Sequence, residues 1–112
     1  MLKTIITIWG TMILDTIYHR LKQRDRKLTK SGFCRDYLGM SRNYWFTCRH
    51  SGADISNDAL LSLYGTLKKL SDSWLEVSDD RPGTVKNGRE QSRFNRELAD
   101  MVMEELVNRA VA

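Results

Sequence analysis

Apolar residues recur at intervals of three or four positions along most of the chain, which is the spacing of one side of an α-helix. We find no run in which β-branched and polar residues alternate between turn residues, as they do in strands. The pattern predicts an all-α protein, a compact bundle of roughly four to five helices that is followed by a C-terminal helix. A chain of 112 residues is long enough to bury one modest core.

Three long helices are expected from this pattern. The first runs from about residue 4 to about residue 26, and its apolar side is made of Ile5, Trp9, Met12, Ile13, Thr16, Ile17 and Leu21. The fourth follows Ser56, whose hydroxyl can cap it, and its apolar side is made of Leu60, Leu63, Tyr64, Leu67, Leu70 and Trp74. The last runs from about residue 91 to about residue 109, and its broad apolar side is made of Phe94, Leu98, Met101, Val102, Leu106 and Val107.

A change of composition separates the fourth helix from the last one. Residues 77–90 contain the only proline of the chain, Pro82, and we interpret them as a linker or long loop. Residues 1–76 then form the main domain, and residues 91–112 form the C-terminal helix. Because the apolar side of this last helix is broad for so small a chain, the helix is a candidate dimerisation element.

Two short helices joined by a tight turn are predicted between the first and fourth helices. They span about residues 32–38 and about residues 42–50. Gly39 ends the first of them in the left-handed conformation that glycine adopts at low cost. Ser41 is expected to cap the second.

A helical wheel divides the second short helix into an inner and an outer side. The inner side, toward the core, holds Ser41, Trp45 and Cys48. The outer side holds Asn43, Phe46, Thr47 and His50, with Arg42 and Tyr44 flanking it. Such an outer side suits the major groove of DNA, because asparagine can bond adenine at two atoms, arginine can bond guanine, and aromatic or methyl edges can touch thymine methyl groups.

Positive charge is concentrated in and just before this segment. Residues 19–50 hold nine Lys or Arg and only two Asp, a net charge of +7, whereas the rest of the chain has a net charge of −3. A positive field of this kind favours polyanions, since neutralised phosphates release counterions. A solvated basic helix end is the alternative explanation of the charge taken alone.

Hydroxyl and basic side chains suited to phosphate binding surround the two short helices. Helix N-termini and short hydroxyl side chains are good phosphate ligands, and the first helix of such a pair crosses the DNA backbone. The candidate phosphate-contacting residues are Arg24, Arg26, Lys27, Thr29, Lys30, Ser31, Arg35, Tyr44 and Arg49. Of these, either Thr29 or Ser31 is also expected to cap the first short helix.

No catalytic or metal-binding motif stands out in the sequence. Cys34 and Cys48 are too few for a disulfide framework, and His19 and His50 lack the paired spacing of zinc ligands. Neither histidine has an evident nucleophile or orienting carboxylate, so we expect no enzyme activity, no metal and no cofactor. We interpret the cysteines as reduced thiols of a cytoplasmic protein, with a redox switch left open. The apolar stretch near the start of the chain is too short to span a bilayer.

In these residues the chain resembles the helix-turn-helix family, in particular the Cro and repressor type of phage and plasmid regulators. The resemblance covers about residues 11–74, and it rests on the turn glycine Gly39 and on the expected buried residues Cys34, Leu38, Met40, Trp45 and Cys48. It implies a DNA-binding domain over residues 1–76 that acts as a homodimer on a palindromic site. The base contacts that it implies are Ser41, Arg42, Asn43, Phe46, Thr47 and His50. Arg35 stands where the family favours a small residue, and we expect it to lean outward.

Two functions remain open at this point. The first is a sequence-specific DNA-binding transcriptional regulator of the phage or plasmid repressor type, which recognises the major groove with helix 42–50. The second is a protein-binding adaptor or inhibitor, such as a phage or toxin–antitoxin component, that keeps the helix-turn-helix as a scaffold. Binding that falls steeply with salt and depends on Arg42 and Asn43 favours the first. Neither function requires a membrane.

Overall fold

Five α-helices make up the part of the chain that the computed structural model describes, namely residues 2–51, 55–80 and 85–111. They are α1 (Leu2–Arg24), α2 (Lys30–Asp36), α3 (Tyr44–Ser51), α4 (Asn57–Asp80) and α5 (Val85–Val111). Side chains are described for residues 13–51, 55–76 and 88–111. Within these ranges there is no strand and no helix long and apolar enough to cross a membrane, and the all-α prediction is confirmed.

The chain divides into two compact units, Met1–Ser62 and Leu63–Ala112. The boundary between them falls within α4.

One side of α1 supplies apolar side chains to the first unit. Leu14, Ile17, Tyr18 and Leu21 are buried at intervals of three and four residues. Thr16, which was predicted on this side, is exposed because it falls outside that spacing from Leu14. The side chains of Ile5, Trp9 and Met12, also predicted here, lie outside the described residues.

The connection from α1 to α2 brings the chain back into the core at Leu28, which is buried. Lys22 Nζ donates a hydrogen bond to the carbonyl oxygen of Leu28 at 2.7 Å, which fixes this return. Thr29 then caps α2, because its Oγ1 accepts a hydrogen bond from the N–H of Gly32 at 3.0 Å. Thr29 rather than Ser31 is therefore the cap, and α2 begins at Lys30, earlier than predicted.

Gly39 lies in the turn between α2 and α3 and has a φ of 65° in the left-handed region, as predicted, although α2 ends at Asp36 rather than at about residue 38. The N–H of Met40 donates to the carbonyl oxygen of Cys34 at 2.9 Å and closes the turn onto α2. A β-carbon at position 39 would lie 2.9 Å from the hydroxyl oxygen of Ser62. Glycine is thus required here both by the backbone conformation and by the close approach of α4.

The start of α3 corrects the prediction of a helix over residues 42–50. α3 begins at Tyr44, so Arg42 and Asn43 lie in the preceding turn, and Ser41 is not its cap. The hydrogen bonds give the reason. The N–H of Tyr44 bonds to the carbonyl oxygen of Ser41 at 3.1 Å, as in a three-residue turn, and helical spacing is present from Thr47, whose N–H bonds to the carbonyl oxygen of Asn43 at 2.9 Å.

α2 and α3 pack against each other. Of the residues predicted between them, Cys34, Leu38 and Trp45 are buried, whereas Met40 and Cys48 are only half-buried. The ring of Trp45 packs edge-on against Tyr18 at a centroid distance of 5.3 Å and lies 5.7 Å from the ring of Phe33.

The second unit is formed by the later part of α4 and by α5. Its buried apolar residues are Leu63, Leu67, Phe94, Leu98, Ala99 and Val102. Ser71 is also buried, and its Oγ donates to the carbonyl oxygen of Ser92 at 2.9 Å. Trp74 and Val107 were predicted on the apolar sides but are 38% and 51% exposed.

Residues 77–80 and 85–90 are helical, where the sequence predicted a linker or long loop. Proline and glycine disturb a helix only at neighbouring positions, so the effect of Pro82 does not extend over the whole stretch. Gly88 is accommodated as a buried residue inside α5. Residues 81–84 lie outside the described part of the chain.

Candidate nucleic-acid interface

The solvent-exposed side of α3 and of the turn before it is the candidate base-contacting surface, which we call the α3 face. Its members are the exposed residues Ser41, Arg42, Asn43, Phe46, Thr47 and His50. The wheel had placed Ser41 inward, but Ser41 precedes α3, where helical periodicity does not apply. All the residues predicted to contact bases are therefore solvent-exposed and belong to one short segment of the chain.

A surface pocket of about 260 Å³ lies at the start of α2, and we call it the α2 pocket. It is lined by Thr29, Ser31, Gly32, Arg35 and Arg42. Thr29, Ser31 and Arg35 were predicted as phosphate contacts and Arg42 as a base contact, so the structure brings together residues that the sequence had assigned to two tasks.

Gly32 is the pocket residue that the sequence did not predict. A β-carbon at this position would lie 3.2 Å from Oγ1 of Thr29, the atom that accepts the Gly32 N–H. The three-residue interval between Thr29 and Gly32, which is the interval of a helix cap, is the signal that could have located it.

Arg35 leans outward from α2, as expected, and its side chain is 56% exposed. Its Nε donates to Oδ1 of the neighbouring Asp36 at 3.2 Å. An exposed ion pair of this kind contributes little to stability. The guanidinium group can therefore exchange Asp36 for another anion at low cost.

Two predicted phosphate contacts instead have partners within the first unit. A guanidinium nitrogen of Arg49 donates to Oδ2 of Asp15 at 3.4 Å and so links α3 to α1. The hydroxyl of Tyr44 accepts a hydrogen bond from the N–H of Ser56 at 2.9 Å and donates to Oγ of Ser56 at 3.3 Å. That Oγ also accepts the N–H of Ala59 at 3.1 Å, which confirms Ser56 as the cap of α4. These contacts position α3.

The other predicted phosphate contacts lie around the connection between α1 and α2. Arg24, Arg26 and Lys27 are exposed there. Lys30 is half-buried, and its Nζ lies 4.9 Å from the centroid of the Trp45 ring, within the range of a cation–π interaction. Lys30 therefore supports the core beneath α3 as well as adding positive charge to the surface.

Two titratable groups of the first unit have raised pKa values. Burial raises the pKa of the Cys34 thiol, although a hydrogen bond from the backbone of Trp45 lowers it and the nearby Cys48 raises it further. The pKa of the Tyr37 hydroxyl is raised by burial and then by the carboxylates of Asp25 and Asp36.

Both cysteines are free thiols. Within the described ranges, His, Cys, Asp and Glu side chains form no group of three or more that could hold a metal ion.

A family model described as "Family of unknown function (DUF6626)" matches residues 14–112. The chain belongs to this family. The match takes in α2, the Gly39 turn and α3, so the α2 pocket and the α3 face both lie within the DUF6626 region. No curated protein and no solved structure was found to match the chain.

Proposed function

We propose that this DUF6626 member is a sequence-specific DNA-binding transcriptional regulator of the repressor type. The α2 pocket holds a backbone phosphate of double-stranded DNA while the α3 face contacts bases in the major groove. The observation that carries this proposal is the position of Arg42, which both lines the pocket and belongs to the α3 face. A phosphate bound in the pocket would therefore fix where the face meets the base edges.

The composition of the α2 pocket suits a phosphate. Arg35 and Arg42 supply fixed positive charge with several N–H donors that match phosphate oxygens. Ser31 adds a hydroxyl group. The net charge of +7 over residues 19–50 supports the same ligand, because it attracts a polyanion before any specific contact forms.

The active form in this proposal is a cytoplasmic homodimer joined through α5, with no cofactor and no catalytic activity. Its support is the exposure of Val107 and Val111, which are 51% and 80% exposed. Residues four apart lie on the same side of a helix, so a second copy could cover both valines and remove their apolar surface from water. A symmetric dimer would offer two α3 faces to half-sites about 34 Å apart.

A mobility-shift assay on genomic fragments tests the DNA-binding proposal. Wild-type protein is expected to shift a small subset of fragments, and Arg42→Ala and Asn43→Ala are expected to lose this selectivity while remaining folded, because both residues are exposed. Arg93→Ala is the matched control, since Arg93 is an exposed arginine on α5 in the second unit. Equal shifts of all fragments by all four proteins would contradict the proposal.

A protein-binding adaptor or inhibitor is the second candidate function. It is favoured by Phe46, which is 55% exposed, since aromatic side chains are enriched at protein interfaces. The same assay separates the two functions, because an adaptor would bind DNA weakly and without sequence preference.

A further inference from the structure

Phe46 is an unusual member of the α3 face. Its side chain is 55% exposed, whereas Tyr18, Phe33 and Trp45 of the same unit are buried and pack on one another. Its neighbours on the face are polar or charged. An exposed ring keeps apolar surface in water, so a ligand that covers Phe46 gains affinity from the burial.

Thr47 places a second apolar group next to Phe46. Its Oγ1 donates a hydrogen bond to the carbonyl oxygen of Asn43 at 2.9 Å. Because a hydroxyl has one hydrogen, Thr47 cannot also donate to a ligand while this bond is present. The side chain is exposed, and its methyl group remains available for contact.

The major groove of DNA offers one apolar feature on its base edges, the C5-methyl group of thymine. We propose that the α3 face recognises thymine by this methyl group, through the ring of Phe46 and the methyl group of Thr47. Arg42 and Asn43 supply hydrogen bonds to neighbouring bases. The inference rests on the proposed DNA-binding function and names the base that the face distinguishes.

The charge of the first unit argues for DNA as the occupant of this face. Phe46 and Thr47 lie within residues 19–50, where the net charge is +7, and Arg42 joins their face to the α2 pocket. A polyanion complements the net positive charge of this segment and also covers the ring, whereas an apolar protein surface would only cover the ring.

The test uses the full chain and a DNA duplex obtained by selection from random sequences. Each thymine of the selected duplex is replaced singly by deoxyuridine, which lacks only the C5-methyl group, and binding is measured by fluorescence anisotropy. Loss of one contacted methyl group is expected to weaken binding about fourfold. Thymines outside the contacted positions are internal controls and should tolerate the replacement.

Three variants assign the contacts. At one position of the duplex, Phe46→Ala should bind equally well whether the base is thymine or deoxyuridine. At a second position, Thr47→Val keeps a methyl group without the hydroxyl and should retain the preference for thymine. Thr47→Ser keeps the hydroxyl without the methyl group and should lose it. Both residues are exposed, so the circular dichroism spectrum should not change.

The outcomes test methyl recognition, the assignment of Thr47 and DNA binding separately. If the wild type binds a selected duplex equally well with thymine or deoxyuridine at every position, methyl recognition is wrong and DNA binding stands. If Thr47→Ser keeps the preference and Thr47→Val loses it, the hydroxyl makes the contact and the assignment of Thr47 is overturned. If selection enriches no sequence, the proposed function fails together with the inference.

Discussion

Arg35 and Arg42 line the same surface pocket, although the Gly39 turn separates them along the chain. Arg35 comes from α2 and Arg42 from the turn before α3. One residue was predicted to contact phosphate and the other a base. Their shared pocket brings these two predicted contacts together, so under the proposed function the salt dependence of DNA binding probes this site directly.

The two arginines should act on one phosphate rather than on two. Each phosphate that a protein neutralises contributes about 0.9 to the slope of log K against log salt. The double variant Arg35→Ala/Arg42→Ala should therefore reduce the slope by about 1 per bound protomer, whereas each single variant leaves one arginine to neutralise the phosphate and should change the slope much less. Fluorescence anisotropy at several salt concentrations measures the slope. Arg93→Ala should leave it unchanged, and additive losses from the two single variants would contradict a shared phosphate.

Gly39 and Gly65 should respond oppositely to alanine. Gly39→Ala is expected to destabilise the fold by about 1–2 kcal/mol or more, because an alanine there is left-handed and its β-carbon would meet the Ser62 hydroxyl at 2.9 Å. Gly65 lies inside α4, and a β-carbon there would meet no described atom within 4 Å. Gly65→Ala should therefore stabilise the protein by about 0.5–1 kcal/mol. Urea denaturation measures both changes, and equal effects would show that the Gly39 turn is not under this constraint.

The hydroxyl of Tyr44 should matter for stability as well as for the position of α3. Tyr44→Phe leaves the N–H of Ser56 without its acceptor at 2.9 Å, and the expected loss is about 1 kcal/mol. Tyr64→Phe, which removes the hydroxyl of a half-buried tyrosine in α4, is the comparison. Thermal and urea unfolding of the two variants provide the measurement. A stability of Tyr44→Phe equal to that of the wild type would mean that the contact with Ser56 does not hold α3.

Stability should fall at alkaline pH because of Cys34. Burial raises the pKa of its thiol above the ordinary value of 9.0, so the unfolded chain loses this proton first as the pH rises. The stabilisation from the neutral thiol is fully present below the unfolded pKa and is lost as the pH rises through the folded pKa. Tyr37, whose pKa is raised above 10.0, acts in the same direction.

Urea denaturation of the wild type and of Cys34→Ala, between about pH 8 and about pH 10.5, measures this dependence. The wild type should lose more stability than Cys34→Ala over the same range. In Cys34→Ala, of these two groups, only Tyr37 remains to lower stability through its raised pKa. Parallel pH profiles would refute a buried neutral thiol at Cys34.

Periodicity and one glycine were enough to predict the all-α class, the left-handed turn and the burial of three residues beside it. Cys34, Leu38 and Trp45 are buried and Gly39 is left-handed because these properties depend on local spacing and on the backbone. The predicted start of α3 was wrong because it depends on whether the N–H of Tyr44 bonds to the carbonyl oxygen three or four residues before it. The sequence is compatible with either hydrogen bond.

The exposure of the α3 face, apart from Ser41, was predictable for the same reason, but which basic residues have partners within the protein was not. A helical wheel gives the side on which Arg49 lies and cannot show that Asp15, on another helix, is its partner. Likewise, Lys22 binds the carbonyl oxygen of Leu28 and so contributes to the fold. Such pairings arise from tertiary packing, which also assembles the α2 pocket.

Selection of bound sequences from random duplex DNA, with wild-type protein and with Asn43→Ala, tests the central claim most directly. The wild type is predicted to enrich one motif, repeated as two half-sites about one helical turn apart. Asn43→Ala is predicted to lose enrichment at a specific base position while still binding DNA, because the α2 pocket is intact. Failure of the wild type to enrich any motif over many rounds would contradict sequence-specific DNA binding by the α3 face.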